Sequence, residues 1–173
     1  MNSPRIARRL ITMLCLAVTG ALVPQAWAQQ FPAKPIRIVV PFPPGGIADI
    51  YGRIVGARMT QSWGQQAIVD NRPGAGGNIA ADIVAKSPAD GYTLVIGNIG
   101  THAVNAALFS KMPFDPIRDF SPVALLLIAD GLLVVHPSLP VKSVKELIAL
   151  ARAKPGELNF ASAGAGTASH LAR

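Results

Sequence analysis

Pro41-Phe42-Pro43-Pro44-Gly45-Gly46-Ile47-Ala48-Asp49 stands between a short apolar run, Ile36 to Val40, and a helical pattern that begins at Ile47. The order reads as strand, rigid loop, helix N-terminus. The three prolines fix backbone φ, and the paired glycines permit positive φ and the close approach of a ligand. Backbone N–H groups at a helix start have no intrahelical partners, and the helix dipole favours negative charge there. The loop is therefore either a cradle for a small anion or a structural turn, and the local pattern leaves both open. Asp49 fits a pure anion cradle poorly, because a carboxylate repels an anionic ligand. Helix-end preference favours a structural role for it, capping the first turn or holding the loop.

Downstream, residues 47–62 place Ile47, Ile50, Ile54 and Met59 at helical spacing, with Arg53 and Arg58 toward solvent. Residues 67–69 read as a second strand. Asn71-Arg72-Pro73-Gly74-Ala75-Gly76-Gly77 is a second glycine-rich loop, residues 78–86 a second helix, and residues 92–96 a third strand after the turn pair Asp90-Gly91. This β-α-β-α-β order implies an α/β fold with a parallel sheet. Such sheets bind ligands at the carboxyl ends of their strands. The 41–49 loop and the 98–105 segment lie at two such ends. From residue 121 the character changes. Residues 123–128 and 132–135 are expected as strands. Residues 141–153 read as a helix with Ser143 as N-cap and Glu146 as its capping-box partner, and residues 157–161 as another strand. A third glycine-rich loop, Ser162-Ala163-Gly164-Ala165-Gly166-Thr167, then opens a helix near Ala168. Because the sequence stops in the first turns of that helix, a truncated chain is expected.

Upstream, Arg5, Arg8 and Arg9 precede an apolar stretch at residues 10–23, and Ala26-Trp27-Ala28 is a small-x-small site. The pattern is that of a secretory signal peptide cut after Ala28, with the mature protein outside the cytoplasm. A membrane anchor is the alternative, for which the apolar run is short. Cys15, the one cysteine, lies inside that stretch, so no disulfide is expected in the mature chain. Losing the three arginines takes the formal charge from +7 to +4. The remaining charges are scattered, with no basic block and no interleaved aromatics, which speaks against a nucleic-acid partner.

Chemistry-bearing clusters are sparse. Gly100-Thr101-His102 offers a hydroxyl, backbone donors and an imidazole, but His136 and His170 lie far away and without metal-ligand spacing, so no metal is expected. The 162–167 loop lacks both the Gly-Lys-Ser/Thr ending of a phosphate loop and the Gly-x-Gly-x-x-Gly fingerprint. A small carboxylate held by hydroxyls and backbone N–H groups suits it better than a nucleotide. An exported serine hydrolase using Ser162 or Ser169 with His102 or His170 is a rival reading. No Gly-x-Ser-x-Gly elbow supports it, and no catalytic residue or cofactor is assigned.

Several runs taken in order resemble the Bug (TctC-like) receptors of the tripartite tricarboxylate transporter system. They are Lys34-Pro35-Ile36-Arg37, Pro41-Phe42-Pro43-Pro44-Gly45-Gly46, Asn71-Arg72-Pro73-Gly74-Ala75-Gly76-Gly77-Asn78 and Asp90-Gly91-Tyr92-Thr93-Leu94. The set continues with Gly100-Thr101-His102, Phe114-Asp115-Pro116, Asp119-Phe120, Val135-His136-Pro137-Ser138-Leu139-Pro140 and Ser162-Ala163-Gly164. The resemblance implies a two-lobed periplasmic-binding-protein fold of the Venus-flytrap type II class, with only the N-terminal part present. Residues 1–28 would be the signal peptide, 29–122 an incomplete first lobe, and 123–173 the crossing and the start of the second lobe. It implies capture of a small organic carboxylate in the periplasm by a monomer, and hand-over to integral-membrane transporter subunits or docking on a membrane sensor. The implied ligand residues are Pro44, Gly45, Gly46 and Asp49 after the first strand, Thr101 and His102 after the third, and Ser162, Ala163, Gly164 and Thr167 from the second lobe. Two departures stand out. Ala48 replaces a threonine common in the family's first loop, and Asn98-Ile99 stand where small or hydroxyl residues are frequent.

Overall fold

Ile36–Val40 (β1) is β-branched at every position but Arg37, and four of its five residues are buried. In the computed structural model, which describes residues 30–172, β1 is the middle of a three-stranded sheet. Its neighbours are Ala67–Asn71 (β2) on one side and Thr93–Val95 (β3) on the other, both parallel to it. From Pro32 onward the described chain clusters as one unit. The parallel ladder puts Ile38 beside Val69 and Leu94. Ile36, Ile38 and Val40 share one face and form the core with Ala48, flanked by Met59, Val69, Leu94 and Ile96. Val39 points to the opposite face by strand alternation and is also fully buried, so β1 is covered on both sides. Each such side chain contributes about 1.5–3 kcal/mol by leaving water.

The crossover from β1 to β2 is the helix Ile47–Trp63 (α1), closed by Gly64 in the left-handed conformation. Its buried face differs from the expected one. Ile47, Ile50 and Ile54 are about half exposed, while Ala48, Asp49, Gly52 and Gly56 are buried. The reason is proximity. A Cβ on Gly52 would lie 3.1 Å from Ile96 Cδ1 and 3.2 Å from Val40 Cγ2, so the helix backbone rests directly on sheet side chains. Glycines one turn apart make that approach possible, and the isoleucines lie off the contact line. Arg53 and Arg58 are exposed, as expected.

Between β2 and β3 run a 3-10 turn, Ala75–Gly77, and the helix Asn78–Ala85 (α2), which packs near β1 and β3. After β3 comes a π-type turn, Gly100–Val104, which leads into the short helix Asn105–Leu108 (α3). Two further helices follow, Val144–Ala153 (α4) and Ala168–Leu171 (α5). Ser143 caps α4, accepting from Glu146 N at 3.2 Å, and Glu146 Oε2 in return accepts from Lys142 N at 2.7 Å.

The strands expected at residues 123–128, 132–135 and 157–161 do not form. Val123, Leu125, Ile128 and Leu132 are each roughly four-fifths exposed or more. A strand needs a hydrogen-bonding neighbour, and among the described residues these runs have none. The signal peptide expected at residues 1–28 lies outside the described residues.

Candidate functional site

The strand order β2-β1-β3 places a topological switch between β1 and β3, because the chain leaves β1 to one side and returns to the other. Ligands of open α/β sheets bind beyond the strand ends at that point. The 41–49 loop follows β1, and the segment beginning at Ile96 follows β3.

The first loop is anchored at its base and free at its tip. Pro41 is buried, residues 43–47 are exposed, and Ala48 and Asp49 are buried again. Pro44, Gly45 and Gly46 therefore stand at the surface. Gly46 is the N-cap of α1 and offers no side chain to the first turn. Asp49 turns back under the loop, and its Oδ2 accepts from Gly45 N at 2.9 Å. Arg53, one turn further along α1, pairs with it at 2.9 Å. The bond from Arg53 comes first, and with the Gly45 N–H it holds the Asp49 carboxyl at about 2, below its usual 3.8. Asp49 thus has the structural role that helix-end preference favours: it holds the loop.

The second loop keeps φ positive at four consecutive residues, Gly74 to Gly77, with Ala75 the non-glycine among them. Gly77 is packed between the other two loops. A Cβ there would lie 2.6 Å from Thr101 Cγ2 and 3.0 Å from Pro41 Cβ. The loops after β1, β2 and β3 therefore meet at Gly77.

After β3, Thr101 is fully buried. Its N–H donates to Asn98 Oδ1 at 3.0 Å, and its Oγ1 accepts from Asn98 N at 3.0 Å. The same hydroxyl lies 2.7 Å from His102 Nδ1. The His102 ring packs edge-on against Phe120, 4.7 Å between centroids, and Phe120 against Phe114 at 5.5 Å. Burial pushes the imidazole below its ordinary range, opposed by its bond to Asn98, so the neutral ring is favoured.

The third loop arrives from the far end of the sequence. Gly100 faces the Gly166 carbonyl, Gly76 faces the Ala165 carbonyl, and Gly166 lies against the Asn105 side chain. Thr167 is buried, with Oγ1 donating to Gly164 O at 2.7 Å. Ser162 and Ala163 are exposed. Ser162 Oγ accepts from Gly164 N at 3.4 Å, and Ser169 Oγ from Ala163 N at 3.1 Å. These serine hydroxyls face their own loop, as Thr101 faces its own. Among the described residues no group of three or more His, Cys, Asp or Glu side chains is placed to hold a metal.

Of the sequence-derived candidates, the structure gathers Thr101 with the 164–167 loop through Gly100, Gly166 and Asn105. The first loop joins through Pro41 rather than through its tip. Sequence reasoning passed over Asn78 and Asn105, which tie this cluster together. Asn105 is fully buried, and its Nδ2 donates to Asn78 Oδ1 at 2.7 Å and to Gly76 O at 3.2 Å. The signal available was an asparagine at the start of a helix, directly after the glycine pair Gly76-Gly77. Arg53 and Asn71, also passed over, support the first loop.

Comparison with known proteins gives a consistent picture. The model of the family described as tripartite tricarboxylate transporter family receptor matches residues 51–173. A protein from the tcbD–tcbE intergenic region of Pseudomonas sp. (strain P51) is 42% identical over 95% of this chain and 49% of its own length. BugT of Bordetella pertussis is 40% identical over 99% of the chain and 52% of its own length. The chain thus spans about half the length of these relatives. An R. palustris protein solved with adipate matches at TM-score 0.70 and 47% identity, over 74% of this chain and 43% of that one. The periplasmic binding protein BugD matches at TM-score 0.68 and 30% identity, over 82% of this chain and 47% of that one. The fold is therefore the N-terminal part of the two-lobed periplasmic-binding-protein architecture.

Proposed function

Because this chain belongs to the tripartite tricarboxylate transporter family of receptors, we propose that it is a periplasmic solute-binding protein that captures a small organic carboxylate. The observation that carries this reading is the meeting of the three glycine-rich loops and the Gly100-Thr101-His102 turn beyond the carboxyl ends of β1 and β3. Such a place supplies loop backbone rather than a fixed charge, which suits an anion shared between two lobes. Two R. palustris proteins of this fold were solved with dicarboxylates, one with adipate and MatC with bound malate.

In this reading residues 29–122 supply the first lobe, and residues 123–173 the crossing and the start of the second. Pro44, Gly45, Gly46 and Asp49 shape one side of the site, with Thr101 and His102 beside them. Ser162, Ala163, Gly164 and Thr167 belong to the opposing side. Residues 1–28 direct export and are removed after Ala28. Each charge-assisted hydrogen bond contributes about 1.5–3 kcal/mol, so a few reach micromolar affinity after ordering costs. The loaded, monomeric receptor then passes its solute to integral-membrane transporter subunits.

The test is titration calorimetry on folded, ligand-free protein against adipate, malate, a tricarboxylate and the neutral diamide of adipic acid. Heat is expected with at least one acid and none with the diamide. Absence of heat with every acid would reject the reading.

A further inference from the structure

A ring of hydrogen bonds closes around the first loop through two residues that lie outside it. Gly45 N donates to Asp49 Oδ2 at 2.9 Å, and Arg53 Nε donates to the same oxygen at 3.1 Å. Arg53 Nη2 approaches Asp49 Oδ1 at 2.9 Å and reaches Asn71 Oδ1 at 3.4 Å. Asn71 Nδ2 donates to the Phe42 carbonyl at 3.0 Å. The circuit therefore joins the start of the loop, Phe42, to its middle, Gly45, by way of α1 and the last residue of β2.

The ring answers the difficulty that Asp49 raises. A buried carboxylate under a loop meant for anions would repel them. Arg53 cancels that charge at contact distance, and both Asp49 oxygens face protein groups. The loop thereby gains a rigid brace with no net charge. The Gly45 N–H is spent on the brace, which leaves recognition at this end to the N–H groups of Gly46 and the first turn of α1. Arg53 sits on the outer side of α1, and its side chain is more than half exposed. Asn71 completes the frame because β2 is in register with β1: Asn71 is the partner of Val40, and Arg72 N donates to Val40 O at 2.8 Å.

We propose that Arg53 and Asn71 are positioning residues for the carboxylate site, acting through Asp49 and Phe42 to hold the first loop in its binding conformation without touching the solute. This rests on the binding function proposed above. Fixing the loop beforehand lowers the ordering cost that the ligand must otherwise offset.

The experiment uses the whole chain and the variants Arg53→Ala, Arg53→Lys and Asn71→Ala. Two readouts are taken: hydrogen exchange of the Gly45 amide by NMR, and the Kd for adipate, malate or the tricarboxylate, whichever the parent binds. Arg53→Ala and Asn71→Ala are expected to speed Gly45 exchange and to weaken the acid by roughly five- to tenfold, the scale of ordering a side chain or loop segment. Arg53→Lys restores part of both. Should Arg53→Ala fail to fold, Asn71→Ala decides, since it removes an uncharged link and leaves the ion pair. Weaker binding with Gly45 exchange unchanged would place Arg53 on the ligand and overturn the proposal, as would no change in either readout. If the parent binds none of adipate, malate and the tricarboxylate, the binding function falls, while the exchange data still decide whether the ring holds the loop.

Discussion

Asn105 Nδ2 donates to Asn78 Oδ1 across 2.7 Å, and this one buried bond ties the helix after the second glycine loop to the helix after β3. The same amide also donates to Gly76 O. Asn78 is buried and Gly76 half-buried, so losing the donor leaves at least the Asn78 oxygen without its partner. Asn105→Ala is expected to destabilise the fold by about 1–3 kcal/mol, the usual cost of orphaning buried polar groups. Urea unfolding of parent and variant checks it, and a midpoint unchanged by the substitution would show that the bond contributes nothing.

Gly77 has φ +95°, in the region that side chains rarely adopt, and Thr101 and Pro41 occupy the space a Cβ would need. Strain at such a position costs about 1–3 kcal/mol, and the clash adds to it. Gly77→Ala should lower the melting temperature by several degrees. Gly45 also has positive φ, but a Cβ there meets nothing within 4 Å. Gly45→Ala should therefore cost less than Gly77→Ala, and thermal melts of the pair test the ranking.

The buried face of α1 makes an opposite pair of predictions on one helix. Gly52→Val forces branched methyls against Ile96 and Val40, and overpacking of that kind costs about 1–3 kcal/mol. Ile54→Gln alters a half-exposed residue and should stay within about 0.5 kcal/mol. If Ile54→Gln proved the more damaging of the two, the assignment of the helix face would be wrong.

The Asp49 carboxyl titrates at about 2 when folded, against an ordinary 3.8. A depressed carboxyl stabilises the folded state above its unfolded pKa, and that contribution disappears as pH falls through the folded value. Asp70 acts in the same sense, lowered first by the bond from Arg37 and then aided by Arg72. Melting temperatures should therefore fall between about pH 4 and pH 2. Asp49→Asn should remove part of that slope, so the gap between parent and variant narrows with acid. A constant gap across the range would show that Asp49 is not the titrating group.

The sheet was legible because its signals are local. Ile36–Val40 is β-branched and apolar at every position but Arg37, the Asp90-Gly91 turn announces the third strand, and α1 runs to Trp63, one residue beyond the expected helix, where Gly64 closes it. The contact face of α1 was not legible, because hydropathy ranks Ile47, Ile50 and Ile54 above the glycines and carries no information about how near a helix backbone approaches a sheet. The runs at residues 123–128 and 132–135 are apolar enough for strands, yet pairing depends on a neighbour that no local pattern reveals. For the site, the glycine loops were visible from composition. Asn78 and Asn105 were not, since an asparagine in a helix reads the same whether it faces water or bridges two loops.

The first loop is fastened at both ends, by Pro41 and by the Asp49 brace, while residues 43–47 between them carry almost no share of the core. Its tip is thus a replaceable bit on a fixed handle. Apart from Gly45, held at positive φ and bonded to the brace, side chains there can be exchanged with little toll on the sheet beneath, and the rigid seating keeps each new tip aimed at the same spot. On the binding function proposed above, a lineage built on this frame would retune its solute by redecorating the exposed tip while the machinery that folds the lobe stays as it is.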